Sequence, residues 1–185
     1  MKRIAPFALL APAFFSTLAS GLYSAGAAAV GWPDTIQLLT QVRTQAQVCA
    51  GLLKGSNDKT AIAKGALAYG LAQGQMDGVI GGLTTALVMG GNPADLKGLQ
   101  AAVDKGAAGL KEVCDSAIKL TATAGTKGVA EEIAKGAIEP LADLVKSAVG
   151  ALWTRHVEKD KLELETIKTQ LEAAKWPAFG EIAAQ

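Results

Sequence analysis

Residues 66–91, ALAYGLAQGQMDGVIGGLTTALVMGG, carry small side chains at every fourth position. Glycine inside a helix costs about 1 kcal/mol relative to alanine, so this row needs a compensating contact such as a closely packed second backbone. Successive positions four residues apart drift by about 40° around a helix, so a partner helix must cross the row at an angle. The pattern predicts a helix from about 58 to 89, with close helix packing in the core or oligomerisation at Gly70, Gly74, Gly78 and Gly82.

Capping signals place the neighbouring helices around this one. Asp34, with Gln37 three residues later, resembles a capping box that starts a first helix ending at Gly55. Residues 56–58 (Ser-Asn-Asp) cap the second helix, and Asn92-Pro93 starts the third.

A fourth helical pattern, from Val129 to about Lys175, is expected to kink at Pro140, which removes a backbone donor. No strand pattern competes with these segments. The sequence therefore predicts an all-α fold, a compact bundle of about four helices with a long kinked C-terminal helix, in a single domain spanning residues 30–185.

The first residues resemble a secretory signal peptide. Lys2 and Arg3 precede an apolar stretch, and small residues at 24–29 suit signal peptidase, so cleavage is expected before Val30. The alternative is a retained transmembrane anchor, which Pro6 and Pro12 disfavour. We expect a periplasmic or secreted protein made of a signal peptide (1–29) and one domain (30–185).

Two cysteines, Cys49 and Cys114, remain after this cleavage. Both fall on the apolar stripes of their predicted helices, and an even pair in an oxidising compartment is first interpreted as a disulfide. Two buried free thiols or an intermolecular bridge are the alternatives. Two cysteines and the single histidine are too few for a structural zinc site, which takes four ligands.

The charge balance and motif content argue against two functional classes. Without Lys2 and Arg3 the chain has 16 basic and 17 acidic residues, which lacks the excess of positive charge that nucleic acid binding requires. No phosphate-binding loop, zinc-protease motif or CxxC pair is present. His156 on an apolar stripe is expected to be a packed side chain, and Asp77 to cap a neighbour, to face solvent or to be a buried carboxylate. We predict no enzyme and no cofactor.

The remaining sequence features indicate contact surfaces. Trp153, Trp176 and Phe179 are candidates for partner contact, because aromatic residues are enriched at interfaces. The favoured alternative is that they dock the last helix onto the rest of the domain. The uncharged run from Gly78 to Met89 is about 18 Å long as a helix, too short to span a bilayer alone, so a membrane-associated oligomer stays an alternative.

The segment from Gly70 to Gly78, GLAQGQMDG, lies some twenty residues after Cys49 and resembles part of one family. That family comprises periplasmic immunity proteins that neutralise type VI secretion amidase toxins. The chain departs from its pattern at Leu71, where an aromatic residue is usual, and at Ala68, where a second cysteine often lies. The resemblance implies a helical, disulfide-bonded protein that blocks a toxin's active site.

Together these features predict an exported, non-enzymatic helical protein that acts by protein binding or self-association in the bacterial envelope. The two alternatives are a membrane-associated oligomer built on the glycine row and a toxin-inhibiting immunity protein.

Overall fold

A computed structural model describes residues 31–123, 138–153 and 161–184 of the chain. Within these ranges there are helices and no strand, which confirms the predicted all-α class. The predicted signal peptide (1–29), the start of the fourth predicted helix (129–137) and His156 lie outside the described residues. The helices are α1 (Trp32–Lys54), α2 (Lys59–Met89), α3 (Pro93–Thr123), α4 (Ile138–Trp153) and α5 (Lys161–Ala173), followed by a 3₁₀ turn (Phe179–Glu181).

The starts of α2 and α3 follow the predicted capping residues. The Asp58 carboxylate accepts hydrogen bonds from the backbone N–H groups two and three residues later, at 2.9 and 3.0 Å. Asn92 accepts one from the N–H of Ala94 at 3.0 Å, and Pro93 occupies the first helical position. These side chains satisfy donors that have no partner inside the helix.

The first helix starts three residues earlier than predicted, because its N-cap is Gly31 and not Asp34. α1 begins at Trp32, so Asp34 is its third residue and not its N-cap. The Asp34 carboxylate accepts a hydrogen bond from the N–H of Gly31 at 2.9 Å, back across the first turn. Pro33 is tolerated inside this turn because the first N–H groups of a helix have no acceptor within it.

The predicted long C-terminal helix appears as two described helices. Pro140 is the third residue of α4 that the structure describes, and residues 124–137 before this helix and 154–160 after it lie outside the described ranges. The kink at Pro140 and the continuity of this helix therefore remain predictions.

Helix α3 lies against α2, and glycines on α3 make the close approach possible. A Cβ at Gly109 would lie 2.9 Å from the Ala72 Cβ and 3.2 Å from the Ala68 carbonyl oxygen. A Cβ at Gly106 would lie 2.8 Å from the Met76 sulfur. The tight crossing of these two helices thus depends on small residues of α3 packed against Ala68, Ala72 and Met76.

The disulfide connects α1 to α3. Cys49 and Cys114 are bonded, with their Cα atoms 4.8 Å apart and 65 positions apart in sequence. Both are almost completely buried. The predicted pairing is confirmed, and it joins two helices whose neighbouring apolar side chains form part of one continuous core.

Candidate interaction surface

The glycine row of α2 faces mostly outward. A Cβ added at Gly70, Gly74 or Gly78 would have no atom within 4 Å, whereas one at Gly82 would lie 2.7 Å from the Leu99 side chain. Because positions four apart rotate around the helix, the row starts at the surface and turns toward α3. Close packing within the monomer therefore accounts for Gly82 and not for Gly70, Gly74 and Gly78.

Large apolar side chains accompany these glycines on the exposed side of α2. Leu67 is 68% exposed, Leu71 65% and Met89 77%, and Val88 is also exposed. None of these side chains is charged, and the partly buried Asp77 lies beside Gly74 and Gly81 on the helix. We call this surface the outer face of α2, and it comprises Leu67, Gly70, Leu71, Gly74, Gly78, Gly81, Thr85, Val88 and Met89.

A different side of α2 holds the C-terminal segment of the domain. Three residues spaced by four, Tyr69, Gln73 and Asp77, bind the backbone at residues 176 and 177. The Tyr69 hydroxyl donates to the Pro177 carbonyl at 3.0 Å, and the Gln73 amide donates to the Trp176 carbonyl at 2.9 Å. The Asp77 carboxylate accepts from the Trp176 N–H at 3.2 Å. These three side chains hold residues 176 and 177, which lie outside any helix, against α2.

Lys54, at the end of α1, completes the hold on this segment. Its ammonium group donates to the carbonyls of Phe179, at 3.3 Å, and Gly180, at 3.0 Å, and also to the Ile182 carbonyl. The same group lies 5.7 Å from the centroid of the Phe179 ring. The Lys54 ammonium therefore caps the 3₁₀ turn by donating charge-assisted hydrogen bonds to these three carbonyl oxygens.

Burial of these α2 side chains against the C-terminal segment shifts the pKa of two of them. Desolvation raises the pKa of the Asp77 carboxyl above its ordinary value, against the opposing effects of the Trp176 N–H and of Lys175. Burial, and then the nearby charge of Asp77, raise the pKa of Tyr69 to about 12. Both groups are held in place by hydrogen bonds to main-chain atoms, so we assign them to docking of the C-terminal segment and not to catalysis.

Tyr69 provides a direct test of this docking, because it is the only tyrosine in residues 30–185. An ordinary phenol has a pKa of 10.0, so the unfolded chain should lose this proton about two pH units before the folded protein does. The contribution that the neutral, buried Tyr69 hydroxyl makes to the stability of the folded protein is fully present below pH 10. It is lost as the pH rises toward about 12. Ultraviolet absorbance of the phenolate should show the late ionisation, and Tyr69→Phe should remove the signal. A midpoint near pH 10 in the still-folded protein would contradict the buried docking.

The three aromatic residues predicted to contact a partner serve the domain itself. Trp176 and Trp153 are 4% and 5% exposed, and Phe179 is half-buried, with its ring centroid 5.7 Å from that of Tyr69. The Trp153 indole donates to the Asn92 carbonyl and lies against Gly91, where a Cβ would approach the ring to 2.4 Å. In this conformation neither indole is available to a partner.

Chemical groups suited to catalysis are sparse in the part of the chain that the structure describes. These residues contain no group of three or more histidine, cysteine, aspartate or glutamate side chains arranged to hold a metal ion. His156, the single histidine in the sequence, lies outside these ranges. Among the described helices, none has the length and the apolar composition needed to cross a bilayer.

Sequence reasoning missed two features of the domain. The close-packing glycines of α3 are Gly106 and Gly109, three residues apart, and in the sequence this short pair is a weaker signal than the longer row on α2. The role of Lys54 had no signal in the sequence, because its acceptors are carbonyl oxygens more than 120 residues away.

The chain matches no protein-family model, and it shows no significant similarity to a curated protein or to a solved structure. Its function must therefore be argued from its own surfaces.

Proposed function

We propose that this chain is a non-enzymatic protein that acts by binding protein through the outer face of α2. The observation that carries the proposal is the exposure of Leu67 and Leu71 beside three glycines whose missing side chains no neighbour fills. Exposed glycines weaken a helix by about 1 kcal/mol each relative to alanine. A partner that packs directly against the helix backbone would offset this cost.

The chemistry of this face suits a protein partner. Exposed apolar residues gathered on one surface are typical of interaction sites, and the absence of charge lowers the desolvation cost of covering them. Glycine at Gly74 and Gly78 gives a flat surface on which another helix could lie at short distance. Inhibition of a toxin would be one instance of such binding, since the segment that resembles the immunity proteins includes Gly70, Leu71, Gly74 and Gly78.

The place of action in this proposal is the bacterial envelope. The leader pattern at residues 1–29 favours export, and a buried disulfide between Cys49 and Cys114 suits an oxidising compartment. After export the domain from Val30 onward would meet periplasmic or secreted protein partners.

The proposal is tested by a photoreactive amino acid placed at Leu71 in cells that express the protein. Illumination should produce covalent protein adducts at Leu71, because this side chain lies in the centre of the binding surface. Leu162 on α5, which is 79% exposed, is the matched control at an exposed leucine on another helix. Equal adduct yields at both positions, or none at Leu71, would refute binding through α2.

A further inference from the structure

Seven positions on the outer face of α2 follow a strict alternation of four and three residues. They are Leu67, Leu71, Gly74, Gly78, Gly81, Thr85 and Val88. This spacing averages 3.5 residues and, in a two-helix coiled coil, keeps one seam of each helix facing its partner over many turns. The described part of the chain places no helix on these seven positions, since Gly74, Gly78 and Gly81 have open space where a Cβ would stand. A seam with this period fits a long partner helix.

The outer face of α2 has large apolar residues at both ends and a glycine at its centre. Gly78 lies midway between Leu67 and Met89 and midway between Leu71 and Thr85. An antiparallel copy of α2 centred on Gly78 would place the apolar end at Leu67 against the apolar end at Val88 and Met89. Gly78 would lie against Gly78 of the other copy, and neither has an atom within 4 Å of its Cβ position, so two backbones could meet closely at the centre.

The distribution of charge along α2 favours an antiparallel over a parallel pair of these helices. Lys59 and Lys64 lie near the N-terminal end of α2, while its last turn has no basic residue to balance the partial negative charge of the helix C-terminus. Parallel copies would bring four lysines to one end. Antiparallel copies would instead set the lysines of each copy near the C-terminal end of the other.

From these observations we propose that the partner of this face is a second copy of the chain, paired through antiparallel α2 helices about a two-fold axis at Gly78. This inference rests on the proposed function and names its partner. Each copy would contribute a strip about 33 Å long and about 10 Å wide, from the helix rise and diameter. The area of this strip, about 330 Å² per copy, is well below the roughly 800 Å² per partner of a standard stable interface. We therefore expect a weak, reversible dimer.

Orientation is tested with single cysteines and a short bismaleimide, on residues 30–185 with the native disulfide intact. Gly78→Cys should give a covalent dimer in high yield. Leu67→Cys alone should not, because two such residues would lie about 33 Å apart in antiparallel copies. A mixture of Leu67→Cys with Val88→Cys should give the cross-linked heterodimer. Efficient linking of Leu67→Cys to itself would overturn the antiparallel arrangement while leaving binding through α2 intact.

The association itself is tested by sedimentation equilibrium with a pair of matched variants. Gly78→Glu sets two carboxylates against each other at the axis and should weaken the dimer by more than about tenfold. Gly98→Glu is the control, since Gly98 is also a helical glycine with open space at its Cβ position. Monomers at every concentration would overturn the self-pairing, and so would recruitment to phospholipid vesicles without a dimer. If Leu71 still formed adducts with another protein, the proposed function would stand and only its partner would change.

Discussion

Breaking the Cys49–Cys114 bond is expected to lower the free energy of unfolding by about 4 kcal/mol. The bond joins cysteines 65 positions apart, so it closes a large loop and removes many conformations from the unfolded chain. The expected loss is a large part of the stability of an ordinary domain. Urea unfolding of the oxidised and the reduced protein measures it directly.

The double substitution Cys49→Ala/Cys114→Ala separates the cross-link from the packing of the sulfurs. Both cysteines are about 1% exposed, so alanine at these positions removes buried atoms as well as the bond. The double variant should therefore be at least as unstable as the reduced wild type. If reduction cost less than about 1 kcal/mol, the unfolded chain would not be constrained by this loop as the entropy argument requires.

The substitution Gly109→Leu is expected to destabilise the domain by about 3 kcal/mol or more. Even the first carbon of the new side chain would lie 2.9 Å from the Ala72 Cβ, and the 3.2 Å neighbour is a backbone oxygen that cannot rotate away. Either α3 must move off α2 or the core must reorganise. Urea unfolding, with circular dichroism to report helix content, measures the loss.

Gly74→Ala is the matched control and should change stability in the opposite direction. Its Cβ would meet no atom within 4 Å, so the helix gains the intrinsic preference for alanine, about 1 kcal/mol, without a clash. The comparison should be made at dilutions where the chain is monomeric. Destabilisation by Gly74→Ala would mean that Gly74 is buried against another part of the chain, contrary to the structure.

Much of the fold could be predicted from local rules in the sequence. The cap at Asp58, the Asn92-Pro93 start of α3 and the turn at Gly90, whose φ of 76° favours glycine, all depend on residues within a few positions of each other. The cysteines were paired correctly because both lie on apolar stripes. The start of α1 was misplaced because Asp34 can accept a hydrogen bond from either side of the first turn.

The orientation of α2 could not be predicted in the same way. Its inward side contains Ala68, Ala72 and Met76, and its outer face contains Leu67 and Leu71, so hydrophobicity hardly distinguishes them. Which side faces solvent is decided by where α3 and the C-terminal segment pack. For the same reason the sequence shows the row of glycines clearly but does not show whether it lies in the core or at an interface. That depends on the tertiary structure.

The hold on the C-terminal segment has a consequence for how the chain folds during synthesis. Trp176 fills the core beside Tyr69 and its backbone satisfies Gln73 and Asp77, so α2 lacks part of its surroundings until residues 176–182 have left the ribosome. The ribosome makes residues 66–91 long before that point. The core of the nascent chain therefore stays incomplete until synthesis has passed residue 182, well after α2 itself has been made.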